Sequence, residues 1–343
     1  MLEIKNLILQ LDNGEEIKCA VAGTGKNLCY IIGPGSFYLK GLAFLAEYFT
    51  FITCDGLWAR SKESSSNEDQ IALLTVESLL EREFLVIKKI CQNFDCEKIG
   101  IMGFSAPGVL MLKYALHYPN TLAWMIGTGL ALCPVDLNFS FSNEIFNLNA
   151  KQEKKKRFDD SYKNYQNIQN DDNSAIPMIT THFFVDDKKK RRMTPNSDYL
   201  EQVRFLIPKL LYDESYSKEC FEHWQNNLSR EVLDPAMREH FFSKIQPNLP
   251  TLDLLKSLAL NEDIPPFLLI SGENDFITPP VIEMVEYLSA KFTIKLYPDC
   301  GHMPYIEQKE LYLQDVLHLI SSITNQTSFP NKVETEYAFP LYK

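Results

Sequence analysis

Lys98-Ile99-Gly100-Ile101-Met102-Gly103-Phe104-Ser105-Ala106-Pro107-Gly108 is the stretch whose reading decides the fold. Apolar residues run up to Gly103 without alternating, as in a parallel strand buried on both faces. From Pro107 through Val109, Leu110, Leu112 and Leu116 the apolar spacing is helical. Ser105 therefore falls on a sharp turn between a strand end and a helix start. Such a turn holds the hydroxyl exposed and strained, and aims the first N–H groups of the helix at whatever the serine attacks. It also forces the strand and helix backbones together, which demands small residues, and Gly103 supplies one.

Two further polar groups fall at strand ends. A serine hydroxyl is a poor nucleophile until a base takes its proton, and the base needs a third group to orient it. Asp275 closes Ser271-Gly272-Glu273-Asn274-Asp275, just past the apolar run Pro266–Ile270. His302 lies in Pro298-Asp299-Cys300-Gly301-His302-Met303-Pro304, just past the run Phe292–Tyr297. In a parallel sheet the loops at the carboxyl ends of the strands share one edge, where ligands bind. Taken singly, Ser105 reads as a turn serine, Asp275 as a helix cap and His302 as a loop histidine. Their common placement favours catalysis.

Gly103-Phe104-Ser105-Ala106-Pro107-Gly108 resembles the nucleophile elbow of the α/β-hydrolases, and the chain order Ser, Asp, His is that of the family. One position departs: Pro107 replaces the usual glycine and Gly108 follows it, a change a first helical turn accepts because its N–H groups lack intrahelical partners. Asp55-Gly56-Leu57-Trp58-Ala59-Arg60-Ser61 is similar to the family's loop after its fourth strand, and Glu307 follows the histidine as a glutamate often does there. Gly33-Pro34-Gly35-Ser36 resembles part of the His-Gly-Gly-Pro-Gly oxyanion loop of the proline iminopeptidase branch, with Ile31 and Ile32 in place of the leading His-Gly. The resemblance implies Ser105 as nucleophile, His302 as base, Asp275 as orienting acid, and the backbone N–H groups of Gly33 and Ala106 as the oxyanion hole. Losing one such donor typically costs about 3 kcal/mol of transition-state stabilisation. The tryptophan that follows the nucleophile in proline iminopeptidases is Ala106 here. Serine rather than aspartate at the elbow argues against the haloalkane dehalogenase and epoxide hydrolase branches.

The rest of the chain supports an α/β fold. Leu2–Leu11 and Glu16–Ala22 read as strands joined by the tight turn Asp12-Asn13-Gly14. Strands at Asn27–Ile32, Phe49–Cys54, Leu122–Gly127, Pro266–Ile270 and Phe292–Tyr297 alternate with helical spacing at Leu39–Tyr48, Ile71–Cys91, Pro280–Lys291 and Leu311–Ile323. With the elbow strand this makes a mostly parallel eight-stranded sheet covered by helices on both faces and opened by an antiparallel hairpin. Between residues 134 and 262 strand signals fade, and helical stretches appear at Tyr199–Leu211, Tyr216–Leu228 and Asp234–Ile245. The expected organisation is an α/β-hydrolase core of residues 1–133 and 263–324, a helical cap inserted at 134–262, and a C-terminal tail at 325–343.

Composition narrows the function. A net charge of −11 argues against a general nucleic-acid binder. Met1-Leu2-Glu3-Ile4-Lys5 lacks the basic and apolar regions of a signal peptide, and the most apolar segment, Ala123–Val135, is too short to span a bilayer. Of the eight cysteines, Cys19, Cys29, Cys54 and Cys133 lie in or beside apolar runs, and no zinc spacing occurs. Reduced thiols and a cytoplasmic setting are expected. Cys300, two residues before His302, has a redox reading and a plainer one as a buried inert thiol. His117 and His318 lie on helices, and His182, His223 and His240 read as surface or packing residues of the insertion. Lys154–Arg157 and Lys188–Arg192 could dock an anionic surface, but flanking aspartates make solvated loops the plainer account.

The sequence therefore predicts a serine hydrolase without metal or organic cofactor, acting on a small-molecule or short-peptide substrate by cleaving an ester or amide. A proline iminopeptidase-like peptidase and a carboxylesterase are the two enzyme readings. A hydrolase fold kept for binding a ligand or partner is the alternative from another class.

Overall fold

The computed structural model describes residues 2–54, 56–61, 68–131, 185–186, 191–192, 211–220, 231–275 and 292–324. Strands β1 (Ile4–Gln10) and β2 (Glu16–Ala22) form the expected hairpin, paired antiparallel from Ile4↔Ala22 to Gln10↔Glu16. Strand β3 (Asn27–Ile31) leads into a short helix α1 (Ser36–Leu39), then β4 (Phe49–Thr53). The helix expected over Leu39–Tyr48 is not continuous, since α1 ends at Leu39 and a single 3-10 turn covers Ala43–Leu45. Gly41 lies in the break, where an added Cβ would come within 2.7 Å of the Tyr305 ring. A regular helix gives way here to a close approach.

A short strand β5 (Ala59–Ser61) precedes α2 (Glu68–Ala72) and α3 (Val76–Asn93). The helical spacing of Ile71–Cys91 is thus interrupted once. Thr75 ends the break by capping α3 in a reciprocal box with Ser78, which satisfies backbone N–H groups that a helix start leaves free. At the other end Asp95 takes a φ of 50°, and the Cys96 N–H donates to the Cys91 carbonyl at 3.0 Å. That is the left-handed closure that commonly ends helices.

Strand β6 (Ile99–Phe104), helix α4 (Ser105–His117) and strand β7 (Leu122–Thr128) follow. Two-residue strands β8 (Val185–Asp186) and β9 (Arg191–Arg192) pair antiparallel, so the arginine end of the second basic run belongs to a small hairpin. Then come β10 (Glu231–Leu233), α5 (Pro235–His240), α6 (Thr251–Leu260), β11 (Phe267–Gly272), β12 (Phe292–Tyr297), α7 (Pro304–Glu307) and α8 (Lys309–Thr324). The main sheet has eight strands in the order β1-β2-β4-β3-β6-β7-β11-β12. From β4 to β12 every pairing is parallel, and the first two pairings are antiparallel.

Successive strand residues feed two separate cores. Tyr30, Ile101, Met125 and Leu269 pack with α3, α4 and α6 on one face. Ile31, Met102, Ile126 and Ile270 pack with α1 and α8 on the other. This is why the strands read as unbroken apolar runs, since a strand covered on both sides has no solvated face to mark with polar residues. Each fully buried aliphatic side chain contributes about 1.5–3 kcal/mol to such a core. Within the 134–262 stretch, Met237, Phe241, Leu252, Leu255 and Leu258 join the first core. Asp234 caps α5 by accepting from the Ala236 N–H at 2.9 Å, and the Thr251 hydroxyl donates to the Ala131 carbonyl at 2.9 Å.

The cysteine expectation is corrected at one pair. Cys19 and Cys54 form a disulfide, with Cα atoms 4.3 Å apart. The antiparallel register Ala20↔Thr53 places them opposite each other on β2 and the end of β4, a proximity that their separation of 35 residues conceals in sequence. The argument from reduced thiols to a cytoplasmic setting falls with it. Cys29, Cys91, Cys96, Cys220 and Cys300 are free thiols.

No helix of the described residues is long and apolar enough to cross a membrane. The expected helices at Tyr199–Leu211 (all but its last residue) and Pro280–Lys291 lie outside the described residues, as do Cys133, His182, His223, the Lys154–Arg157 run and the tail 325–343.

Helix α3 carries a polar group into its core. Glu83 is 2% exposed and accepts a hydrogen bond from the Tyr30 hydroxyl. Burial raises its pKa above the ordinary carboxyl value despite that bond and the nearby Arg82. A carboxyl whose folded pKa is raised binds its proton more tightly in the native state, so stability is lost as pH rises through the folded pKa. Glu83→Gln keeps an acceptor for Tyr30 and removes the buried charge. Its melting temperature relative to wild type is therefore expected to rise between about pH 5 and about pH 8. Thermal unfolding at both pH values checks this, and a constant difference would refute the buried-charge account.

Candidate active site

The site begins with the turn between β6 and α4. Phe104 is extended, and Ser105, the first residue of the helix, adopts a φ of 52°. A left-handed non-glycine residue costs on the order of 1–3 kcal/mol and persists only where its surroundings fix it. Here they do. A Cβ on Gly103 would lie 2.8 Å from the Gly108 carbonyl oxygen, and one on Gly108 would lie 2.5 Å from the Gly103 carbonyl carbon. Strand and helix backbones thus touch through these two glycines. The departure from the family pattern is explained in the same way: the small residue this contact needs stands at 108, leaving 107 free to be proline.

Pro107 has its own neighbour. Gly33, with φ 84°, follows β3 at the same edge of the sheet, and a Cβ there would come within 2.9 Å of the Pro107 side chain. The Gly33-Pro34-Gly35 loop therefore rests on the first turn of α4. Gly35 donates to the Gly33 carbonyl at 2.8 Å, which closes the loop tightly.

The three side chains singled out in sequence meet. The Ser105 hydroxyl lies 2.9 Å from His302 Nε2, and His302 Nδ1 lies 2.8 Å from Asp275 Oδ2. A carboxylate can only accept, so Nδ1 carries the hydrogen and Nε2 is left as the acceptor for the serine O–H. Asp275 is fully buried and His302 is 7% exposed, whereas Ser105 is partly open to solvent. Asp275 Oδ2 also receives a long contact from the Ser271 hydroxyl at 3.4 Å. Such an arrangement can hold an imidazole in one tautomer and draw the proton from a serine.

The loops that carry Asp275 and His302 are fastened to each other. Strands β11 and β12 run parallel with Gly272 opposite Tyr297. Just beyond, the Glu273 N–H donates to the Tyr297 carbonyl at 2.8 Å and the Asn274 N–H to the Cys300 carbonyl at 2.9 Å. A Cβ on Gly272 would sit 2.0 Å from the Gly301 carbonyl oxygen, so this crossing too requires glycine. Behind the imidazole, Gly129 has φ 54°, and a Cβ there would approach His302 Cε1 to 3.0 Å. In sequence Gly272 stands only within the Asp275 stretch, and Gly129 belongs to no motif. Position just after a strand's carboxyl end was the signal available for both.

The residue before the serine anchors the elbow in the core. Tyr38 stacks on Phe104 with ring centroids 4.3 Å apart, and Tyr305 meets Phe104 edge-on at 5.4 Å. Cys300 is fully buried, and burial pushes its thiol pKa well up, which suppresses the reactive thiolate. His117 and His240 are engaged elsewhere, by the Lys113 and Leu74 carbonyls at 2.9 and 2.8 Å. His318 is exposed on α8. Asp136, the alternative orienting acid after β7, and Phe205, Phe221 and Trp224, the insertion's candidate aromatics for lining an acyl slot, lie outside the described residues.

No protein-family model matches the chain, and no curated protein sequence matches it. Solved structures do. A putative acyltransferase from Salmonella enterica superposes with a TM-score of 0.59 at 16% identity, over 93% of this chain and 96% of that one. An α/β fold family hydrolase from Bacillus anthracis str. Sterne gives 0.57 at 15% identity, over 93% and 100%. A thermophilic esterase from Thermogutta terrifontis gives 0.54 at 20% identity, over 93% and 99%. The chain has the α/β-hydrolase fold.

The backbone contact at the elbow makes a sharp prediction. Glycine to alanine inside an unobstructed helix stabilises by about 1 kcal/mol. Gly108→Ala is expected to do the opposite and destabilise by about 1–3 kcal/mol, as overpacking does. Denaturant unfolding measures it, and a stabilised variant would show that the strand and helix do not touch there.

Proposed function

We propose that this protein is a serine hydrolase that cleaves an ester or amide through an acyl-enzyme intermediate. The observation that carries the reading is the continuous hydrogen-bonded chain from Asp275 through His302 to Ser105, at 2.8 and 2.9 Å. In the acylation step Ser105 Oγ attacks the substrate carbonyl carbon while its proton passes to His302 Nε2. Asp275 holds the Nδ1–H and stabilises the imidazolium that forms. The carbonyl oxygen becomes an oxyanion, for which the backbone N–H groups of Gly33 and Ala106 are the proposed donors. The Gly33 loop resting on Pro107 supports that assignment, because it brings both segments to the start of α4. The imidazolium then protonates the leaving alcohol or amine. A water molecule deprotonated by His302 releases the acyl group and regenerates the serine.

Within this class an ester substrate is the reading we favour. Ala106 stands where proline iminopeptidases carry a tryptophan after the nucleophile, which supports an ester over a peptide. A proline iminopeptidase-like activity needs an acidic group to hold a free amine, and the resemblance that raised it stops at Gly33-Pro34-Gly35. The stretch 134–262, proposed as the cap, would shape the rest of the pocket.

Ser105→Ala is expected to abolish labelling by a fluorophosphonate with little change in melting temperature. Persistent labelling of another serine would overturn the assignment, and a wild-type protein that never labels would favour a binding module. Asp275→Asn is expected to lower kcat by about 10⁴-fold with a much smaller effect on KM, because the imidazole loses its tautomer. An aryl ester, a proline arylamide and its N-acetylated form then separate the two enzyme readings. Ester cleavage with neither arylamide touched supports the esterase, whereas hydrolysis of the free-amine arylamide alone supports the peptidase.

A further inference from the structure

Glu307, the last residue of α7, is 7% exposed and stands outside the hydrogen-bonded chain of Ser105, His302 and Asp275. Its two carboxylate oxygens serve two different segments. Oε1 accepts from the Gly301 N–H at 2.9 Å, the residue immediately before His302. Oε2 accepts from the Tyr212 N–H at 2.7 Å and the Asp213 N–H at 3.2 Å. Tyr212 and Asp213 open the described segment 211–220, which lies within the stretch between β7 and β11. That segment makes two further contacts with the chain that follows His302. The Cys220 thiol donates to the Met303 sulfur at 3.1 Å, and Glu219 pairs with Lys309.

The chemistry of the group fits this double duty. N–H donors arriving from two directions require acceptors on both sides, and a carboxylate accepts on both oxygens. An amide accepts on one side and would turn its NH₂ towards an N–H on the other. Burial raises the Glu307 pKa, while the N–H groups of Asp213, Gly301, Tyr212 and Met303 oppose the rise. Losing the carboxylate would leave buried N–H groups unsatisfied, at about 1–3 kcal/mol each.

We propose that Glu307 is a positioning residue for His302: by holding Tyr212–Asp213 and Gly301 on one carboxylate, it makes the placement of the imidazole depend on the placement of the 211–220 segment. The proposal rests on the reading of His302 as the base. A reacting group displaced by about 1 Å can lose about 10²-fold in rate, so a tie one residue from His302 has leverage without touching the substrate.

The test uses the full chain with Glu307→Gln and Glu307→Asp, and two readouts. The first is the rate of Ser105 labelling by a fluorophosphonate across the neutral pH range. In Glu307→Gln the plateau rate is expected to fall by at least about tenfold with its pH midpoint unmoved, and Glu307→Asp, which keeps both acceptors on a shorter arm, recovers part of it. The second readout is amide hydrogen exchange, in which the peptides containing Tyr212–Asp213 and Gly301 should lose protection together. A folded Glu307→Gln protein that labels within about twofold of wild type, or in which only one of the two segments loosens, overturns the proposal. Should Glu307→Gln fail to fold, Glu307→Asp carries both readouts. A wild-type protein that does not label at all defeats the catalytic reading itself. Joint loss of protection would then uphold the tie between the segments, and its absence would overturn it.

Discussion

At Ser105 an L-residue is held at a φ of 52°, and the contact between Gly103 and Gly108 is what holds it there. The strain is of the same order as the stabilisation from burying one or two aliphatic side chains. It is sustained because β6 is buried along its whole length and α4 buries Val109, Leu110, Met111 and Leu112. Neither element can rotate to relieve the turn without exposing that surface. The serine hydroxyl is thereby fixed at the rim of the sheet before any partner group is considered.

The partners reach the same rim by a different route. Asp275 and His302 follow adjacent parallel strands, and the crossing of Gly272 over the Cys300–Gly301 backbone fixes one loop against the other. Gly129, at the end of β7, closes the space behind the imidazole. Three strand ends thus bear on the position of His302, two through a backbone crossing and the third directly against the imidazole. Each contact uses a glycine because each brings chain within distances that a Cβ forbids. A fully buried acid and a nearly buried imidazole leave the serine as the open end of the chain.

The strands and the three side chains were legible in sequence because both signals are local. An unbroken apolar run marks a doubly covered strand, and a polar residue directly after it marks the rim. What the sequence conceals depends on proximity through space. Gly129 and Gly272 look like ordinary turn glycines until the imidazole and the Gly301 carbonyl are seen against them. Cys19 and Cys54 look like buried hydrophobes until the β2–β4 register sets them face to face. The helix expected over Leu39–Tyr48 failed for a related reason. Its spacing is adequate, but Gly41 is needed where the chain meets Tyr305, and a glycine that weakens the helix ends it.

The division between what the rim dictates and what it leaves open follows from the topology. The stretch between β7 and β11 leaves beside Gly129, against His302, and its 211–220 segment is bonded to Met303 and Glu307, which follow the same histidine. Its later part reaches the core as well: α6 packs on α4, and Met237 and Phe241 join the same apolar cluster. The chemistry at the rim is constrained by glycines and buried hydrogen bonds that tolerate few replacements. A pocket wall is constrained only by the shape and polarity of what it binds, and many apolar residues satisfy those demands equally. A reaction class can therefore be proposed from three side chains and four glycines, while the substrate of the proposed reaction depends on residues whose individual identities carry little signal.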